Sequence, residues 1–148
     1  MEVNFFDSTL RAKKKYSQLL EPICLEHGLT RNELDIMLFL ANNPTYDRAA
    51  DIVTRRGIAK SHVSLSVGNL EKRGFLTRRM DENDRRTVHL ALSPEATEIA
   101  MTARQEQIRF FRRIYHGLTR EEMDLWHRLY TKVCINIEHL DDPDWPAE

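Results

Sequence analysis

The sequence predicts a mainly α-helical chain with one small β-hairpin. Three observations carry this reading. Apolar residues recur at three- and four-residue spacing along most of the 148 residues. Helix-entry signals recur as well: Thr30 with Glu33, Thr119 with Glu122, and Ser93-Pro94-Glu95. At one place the period changes to two, where Val88, Leu90 and Leu92 alternate behind a polar turn.

Taken in order, residues 8–26 form a first helix, with Leu10, Tyr16, Leu19, Leu20 and Ile23 on its apolar face. Pro22 should kink it and Gly28 should stop it. The second helix enters through the Thr30–Glu33 capping box, with Leu29 placed as a hydrophobic staple. Leu34, Met37, Leu38 and Ala41 make its apolar face, and Asn42-Asn43-Pro44 ends it. Residues 46–57 read as a short third helix with Asp47 as N-cap, Ile52 and Val53 inside, and Gly57 at the end. The fourth follows at once, with Val63, Val67 and Leu70 in one inward stripe and Gly74 closing it. The opposite face carries Ser61, Leu65, Asn69 and Lys72, with Gly68 beside them and His62 and Ser64 on the flanks.

Residues 75–79 and 88–92 read as two strands around the turn Asp81-Glu82-Asn83-Asp84. An isolated hairpin is marginal in water, so it must lie against the helices or a partner. A long helix begins at Ser93 and ends at Gly117. A last one begins at Thr119 and carries the stripe Leu125, Leu129, Val133 and Ile137. Residues 141–148 read as a polar tail.

Two short helices joined by Gly57-Ile58-Ala59-Lys60, with a hairpin directly after, form a winged helix-turn-helix pattern. In such modules the second helix enters the DNA major groove by its N-terminal half. The charge distribution agrees. The net charge is −1, yet residues 48–90 hold ten Lys or Arg against five Asp or Glu, a local +5. A basic middle between acidic flanks suits a polyanion that touches only that middle. Arginines on a hairpin beside a groove-bound helix overhang the adjacent minor groove, where the potential is most negative.

Residues 57–92 resemble the MarR family of bacterial transcription regulators. The family pattern runs roughly G-I-x-K-S-x-V-S, then L-E-x-x-G-[FL]-[LIV], then R-x-x-D-x-x-D-x-R and a strand ending L-[ST]. This chain has Gly57-Ile58-Ala59-Lys60-Ser61-His62-Val63-Ser64, Leu70-Glu71-Lys72-Arg73-Gly74-Phe75-Leu76 and Arg78 through Arg86, closing with Leu92-Ser93. These motifs cover about a quarter of the chain, and helix order and length extend the likeness to nearly all of it.

The resemblance implies a homodimer that presents two winged helix-turn-helix modules to a pseudo-palindromic operator in double-stranded DNA. Residues 1–28 and 93–140 would carry the dimer helices and residues 29–92 the DNA-binding region. It further implies repression, modulated by a small-molecule effector. The expected recognition-helix contacts are Lys60, Ser61, His62, Ser64, Leu65 and Asn69. The expected wing contacts are Arg78, Asp84, Arg85 and Arg86, with Asp84 orienting Arg86 into the minor groove. Three positions depart from the pattern: Leu65 stands where a polar or basic reader is common, Arg56 where an aliphatic residue precedes the turn, and Pro94-Glu95 where the family carries glycine.

Other features bound the reading. No catalytic motif is present, so an enzyme is not expected. No cofactor or metal is expected, because the six histidines form no helical pair and do not mix with cysteine at ligand spacing. No apolar run suggests a membrane span, and the first residues lack a signal-peptide pattern, so a cytoplasmic location is expected. Cys24 and Cys134 read as small hydrophobes on helices, with a peroxide-sensing thiol as the sharper alternative. Phe110, Phe111, Tyr115, Trp126 and Tyr130 read as core or dimer interface, or as the lining of an effector cavity. The other class of function to weigh is a winged-helix protein-interaction module without specific DNA binding.

Overall fold

The computed structural model describes residues 4–143 and 145. Of the expected polar tail, residues 144 and 146–148 lie outside the described residues. The described elements are α1 (Phe5–His27), α2 (Arg31–Asn42), α3 (Ala49–Arg56), α4 (Lys60–Lys72), β1 (Leu76–Met80), β2 (Val88–Leu92), α5 (Pro94–Ile114) and α6 (Arg120–Glu138). The fold class is the one predicted. Two units divide the chain, Met1–Phe110 and Phe111–Glu148.

In the first unit, α2 is the central helix. Its Thr30 hydroxyl accepts from the Glu33 N–H while the Glu33 carboxylate accepts from the Thr30 N–H at 2.8 Å, closing the predicted capping box. Ile36, Phe39 and Leu40 are buried along with Leu34, Met37 and Leu38. The helix is therefore covered nearly all round, more than a one-sided amphipathic reading allows. α1 starts earlier than expected because the Asn4 side chain accepts from the Asp7 N–H. It continues through Pro22 and ends at Gly28 (φ 58°), docking on the core by Leu20 and Ile23.

The end of α1 is held from a distance. The Arg73 guanidinium donates to the carbonyls of Gly28 (2.8 Å) and His27 (2.6 Å), groups that a helix terminus leaves unsatisfied. Arg73 also lies over the Phe75 ring, 4.7 Å from its centre.

The third helix differs from its prediction. It starts at Ala49 after Arg48, and Asp47 does not cap it. The Asp51 carboxylate instead accepts from the Arg48 N–H at 3.1 Å. Asp47 faces the hairpin: its carbonyl accepts from the Leu90 N–H at 2.7 Å, and its carboxylate meets His89. The free edge of β2 thereby gains a backbone partner from the loop before α3.

Gly57 adopts φ 64°, a left-handed conformation that makes the α3–α4 turn tight. α4 then packs by Val63, Ser66, Val67 and Leu70. Its N-cap, Ala59, makes no side-chain cap bond, so the first N–H groups of α4 receive no capping oxygen from that residue.

β1 and β2 pair antiparallel, with Leu76 opposite Leu92, Arg78 opposite Leu90 and Met80 opposite Val88. β1 begins one residue later than expected because Phe75 serves the junction. Its N–H donates to the Leu70 carbonyl and its carbonyl accepts from the Ser93 N–H, both at 2.9 Å. Leu76 and Leu90 carry the hairpin onto the core. The Ser93 hydroxyl accepts from the Ala96 N–H, as predicted for the start of α5. Ala96, Ile99, Ala100 and Ala103 are the buried residues of α5.

The second unit contains the end of α5 and all of α6. The Thr119–Glu122 capping box forms as predicted. Phe111 stacks with Tyr115, and Trp126 with Tyr130. The expected stripe of Leu125, Leu129, Val133 and Ile137 is 43–52% exposed, and no described residue of α6 is buried. No described helix is long and apolar enough to cross a membrane.

Candidate nucleic-acid interface

The core stripe of α4 decides what its other face can do. With Val63, Val67 and Leu70 buried, helical geometry at 3.6 residues per turn turns Ser61 and Leu65 to the opposite side. Lys60, Ser61, His62, Ser64 and Leu65 are exposed, as expected, and Leu65 is 64% exposed. Asn69 is half-buried near the end of the helix, less free than expected. Lys60 and Ser64 also line a groove of about 360 Å³ between α3 and α4, with Ala50, Val53 and Arg78.

The wing is ordered by its own carboxylates. One Asp81 oxygen accepts from the N–H groups of Asn83 (2.8 Å) and Asp84 (2.9 Å). Asp84 accepts from the Arg86 backbone N–H at 3.0 Å and from the Thr87 hydroxyl at 2.9 Å. The family resemblance implied a carboxylate orienting the Arg86 side chain; the described contact is to its backbone amide. Asp84 thus shapes the loop that presents the guanidinium. Arg85 and Arg86 are exposed and join none of the salt bridges among the described residues. Arg78 differs: its Nε pairs with Glu71 of α4 at 2.9 Å, tying β1 to the helix.

His89 was not singled out from sequence. It sits on β2 with Nδ1 2.7 Å from Asp47 and Nε2 3.2 Å from Asp81. One imidazole therefore joins the loop before α3 to the start of the wing turn. The hydrogen bond to Asp47, then that to Asp81, raise its pKa. The Asp81 carboxyl is lowered, first by the Asn83 and Asp84 amides and then by His89. Alternation did place His89 on the outward face of β2, but its partner Asp47 is 42 residues away.

A second feature adjoins α4. Lys13, Tyr16, Arg31, Asp35, Arg56 and His62 line a cavity of about 510 Å³, which reaches the turn residues Ile58 and Ala59. His62 thus belongs both to the recognition helix and to this cavity wall. Arg31 donates to Asp35 at 2.9 Å and lies over the Tyr16 ring, while its Nη1 is buried without a hydrogen-bond partner. The Tyr16 hydroxyl accepts from Gln107 at 3.0 Å, and Gln107 in turn accepts from Asn42. Phe110, Phe111, Tyr115, Trp126 and Tyr130, read from sequence as core or dimer interface or else as effector-cavity lining, do not line this cavity. Arg56 reaches the cavity and also lies over the Phe39 ring. At Cys24, burial pushes the thiol pKa up, with Arg31 opposing, which disfavours the reactive thiolate.

Comparison with known proteins places these features. The MarR family model matches residues 27–87, from the last residue of α1 to the end of the wing. Over 134 residues the chain is 25% identical to the homoprotocatechuate degradative operon repressor of Escherichia coli, covering 90% of each chain. Two solved structures share the fold. One is a MarR-family regulator from Listeria monocytogenes complexed with a 26mer DNA, with a TM-score of 0.78 and 16% identity over 100% of both chains. The other is NadR in complex with 4-hydroxyphenylacetate, with a TM-score of 0.71 and 24% identity, covering 89% of this chain and 93% of that one. The motif series from Gly57 to Ser93 thus lies on the helix-turn-helix and wing, the region that matches the MarR family model and shares the fold of these winged helix-turn-helix regulators.

Proposed function

We propose that the protein is a cytoplasmic homodimeric repressor that binds a pseudo-palindromic operator in double-stranded DNA and is released by a small-molecule effector. One observation carries the DNA-binding part: the face of α4 opposite its buried stripe is exposed, and Arg85 and Arg86 on the wing are exposed outside any described salt bridge. Lys60 meets phosphate, while Ser61, His62, Ser64, Leu65 and Asn69 face bases. Arg85 and Arg86 enter the minor groove, Asp84 shapes their loop, and Arg78 braces the wing through Glu71. The likeness to a structure solved with DNA supports the same reading.

The homodimer is proposed through α1, α5 and α6. What supports it is the half-exposed Leu125–Ile137 stripe on α6 and, separately, exposed Leu10 and Leu25 on α1. Apolar patches of this kind mark association surfaces. Two recognition helices must then stand about 34 to 36 Å apart, one duplex turn.

The effector is proposed to occupy the cavity at Tyr16, Arg31 and Arg56. The unpartnered Arg31 Nη1 and the cationic lining favour a small anion. The name of the Escherichia coli relative and the ligand of NadR both point to aromatic acids in those proteins. An occupant there touches Ile58 and His62, and so bears on the start of the recognition helix. A differential affinity of about 1 to 3 kcal/mol between bound and released states is enough to shift occupancy.

The test is binding of random and selected duplexes at roughly 50 and 200 mM salt. A repressor retains selected fragments and loses affinity steeply with salt. Retention that ignores salt and sequence would mark a protein-interaction module instead.

A further inference from the structure

Leu65 is the one large apolar side chain of α4 outside the core among the described residues. It stands roughly opposite the Val63–Leu70 stripe, with Ser61 one turn before it and Gly68 one turn after. Both neighbours are short, so Leu65 projects beyond the surface around it.

Gly68 adds a separate observation. Its φ is not positive, so its backbone does not require glycine. A Cβ added there meets nothing within 4 Å, so no packing among the described residues requires it either. Glycine within a helix weakens that helix relative to alanine. Its place is explained if something outside the chain approaches α4 closely at that turn.

Resting on the proposed DNA binding, the chemistry of the major groove narrows what Leu65 can meet. Guanine, cytosine and adenine present only donors and acceptors there, and thymine alone presents an apolar group, its C5-methyl. A leucine pressed on polar base edges would strip them of water without replacing the hydrogen bonds. We infer that Leu65 reads one thymine in each operator half-site by packing on its 5-methyl group, with Gly68 leaving room for the approach. Where a basic residue at this position would select guanine, this chain selects thymine at the corresponding step.

The test uses the full-length protein and an operator obtained by selection from random duplexes. Each thymine is replaced in turn by deoxyuridine, which removes the methyl and leaves every hydrogen-bonding group in place. At one position per half-site the wild-type protein loses roughly fourfold in affinity, and roughly fifteenfold with both replaced, as expected for one methyl leaving an apolar contact. Leu65→Ala binds more weakly overall and no longer distinguishes the two bases there. Gly68→Ala keeps or raises thermal stability yet weakens operator binding.

Selective, salt-dependent binding with no thymine sensitive to its methyl overturns this inference alone. So does equal sensitivity in Leu65→Ala, and unchanged affinity in Gly68→Ala overturns the close approach. If no fragment is selected and binding ignores salt, the DNA-binding reading fails with it.

Discussion

Arg86 and Lys60 are both exposed cations, but they are placed for different work. Arg86 tips a loop whose backbone Asp84 and Asp81 hold in shape. Arg86→Ala should weaken operator binding by about 1 to 3 kcal/mol with the dimer intact; titration by fluorescence anisotropy checks this. Lys60→Ala should weaken all sequences alike and flatten the salt slope by about one unit. A changed sequence preference would instead move Lys60 to the bases. Arg31 is the residue on which the effector proposal turns. Arg31→Ala should bind operator normally and fail to release it with 4-hydroxyphenylacetate as probe. Release at wild-type concentration would place the effector elsewhere. Capping residues such as Thr30 and Thr119 were legible in the sequence because their partners lie three residues on. Asp47 was misread as a cap because its partner His89 lies 42 residues away.

Between elements, two ties hold the module together. Arg73 joins the end of α4 to the end of α1 across 45 residues of sequence. Arg73→Ala should lower stability by roughly 1 to 2 kcal/mol, since charged donors to otherwise unmet carbonyls are among the stronger hydrogen bonds. Denaturant unfolding should show a lower midpoint at unchanged slope. The other tie is His89 between Asp47 and Asp81. Only the imidazolium donates from both ring nitrogens. The two carboxylates raise the His89 pKa above its ordinary 6.5. Its contribution to wing stability is therefore fully present below about 6.5, the unfolded value, and is lost as pH rises through the higher folded value. Among the charged groups around it, Arg79 lies opposite His89 in the register and Arg48 follows Asp47 in the chain. Hydrogen exchange at residues 81–89 should accelerate as pH rises, beyond its intrinsic pH dependence, and His89→Gln should abolish that excess. Equal excess in both proteins would show that the bridge does not steady the wing.

At the scale of the molecule, the apolar stripe of α6 is half exposed among the described residues. Leu129→Glu should leave the far-ultraviolet helical signal intact, shift the sedimenting species to a monomer, and abolish operator binding while weak non-specific binding remains. A dimer that survives the substitution would place the interface on another face. The sequence by itself determined the helical class, the order of elements, the helix-turn-helix with its basic wing and the apolar stripe of α6. Each of these is written in spacing: periods of 3.6 and 2, caps three residues apart, and charge counted along the chain. Only the tertiary structure decided that Arg73 caps a remote helix, that His89 bridges two loops, that Arg78 is held by Glu71, and that His62 and Arg31 share a cavity. Those pairings depend on which distant side chains the packed core brings within hydrogen-bond reach, and residue spacing carries no record of that.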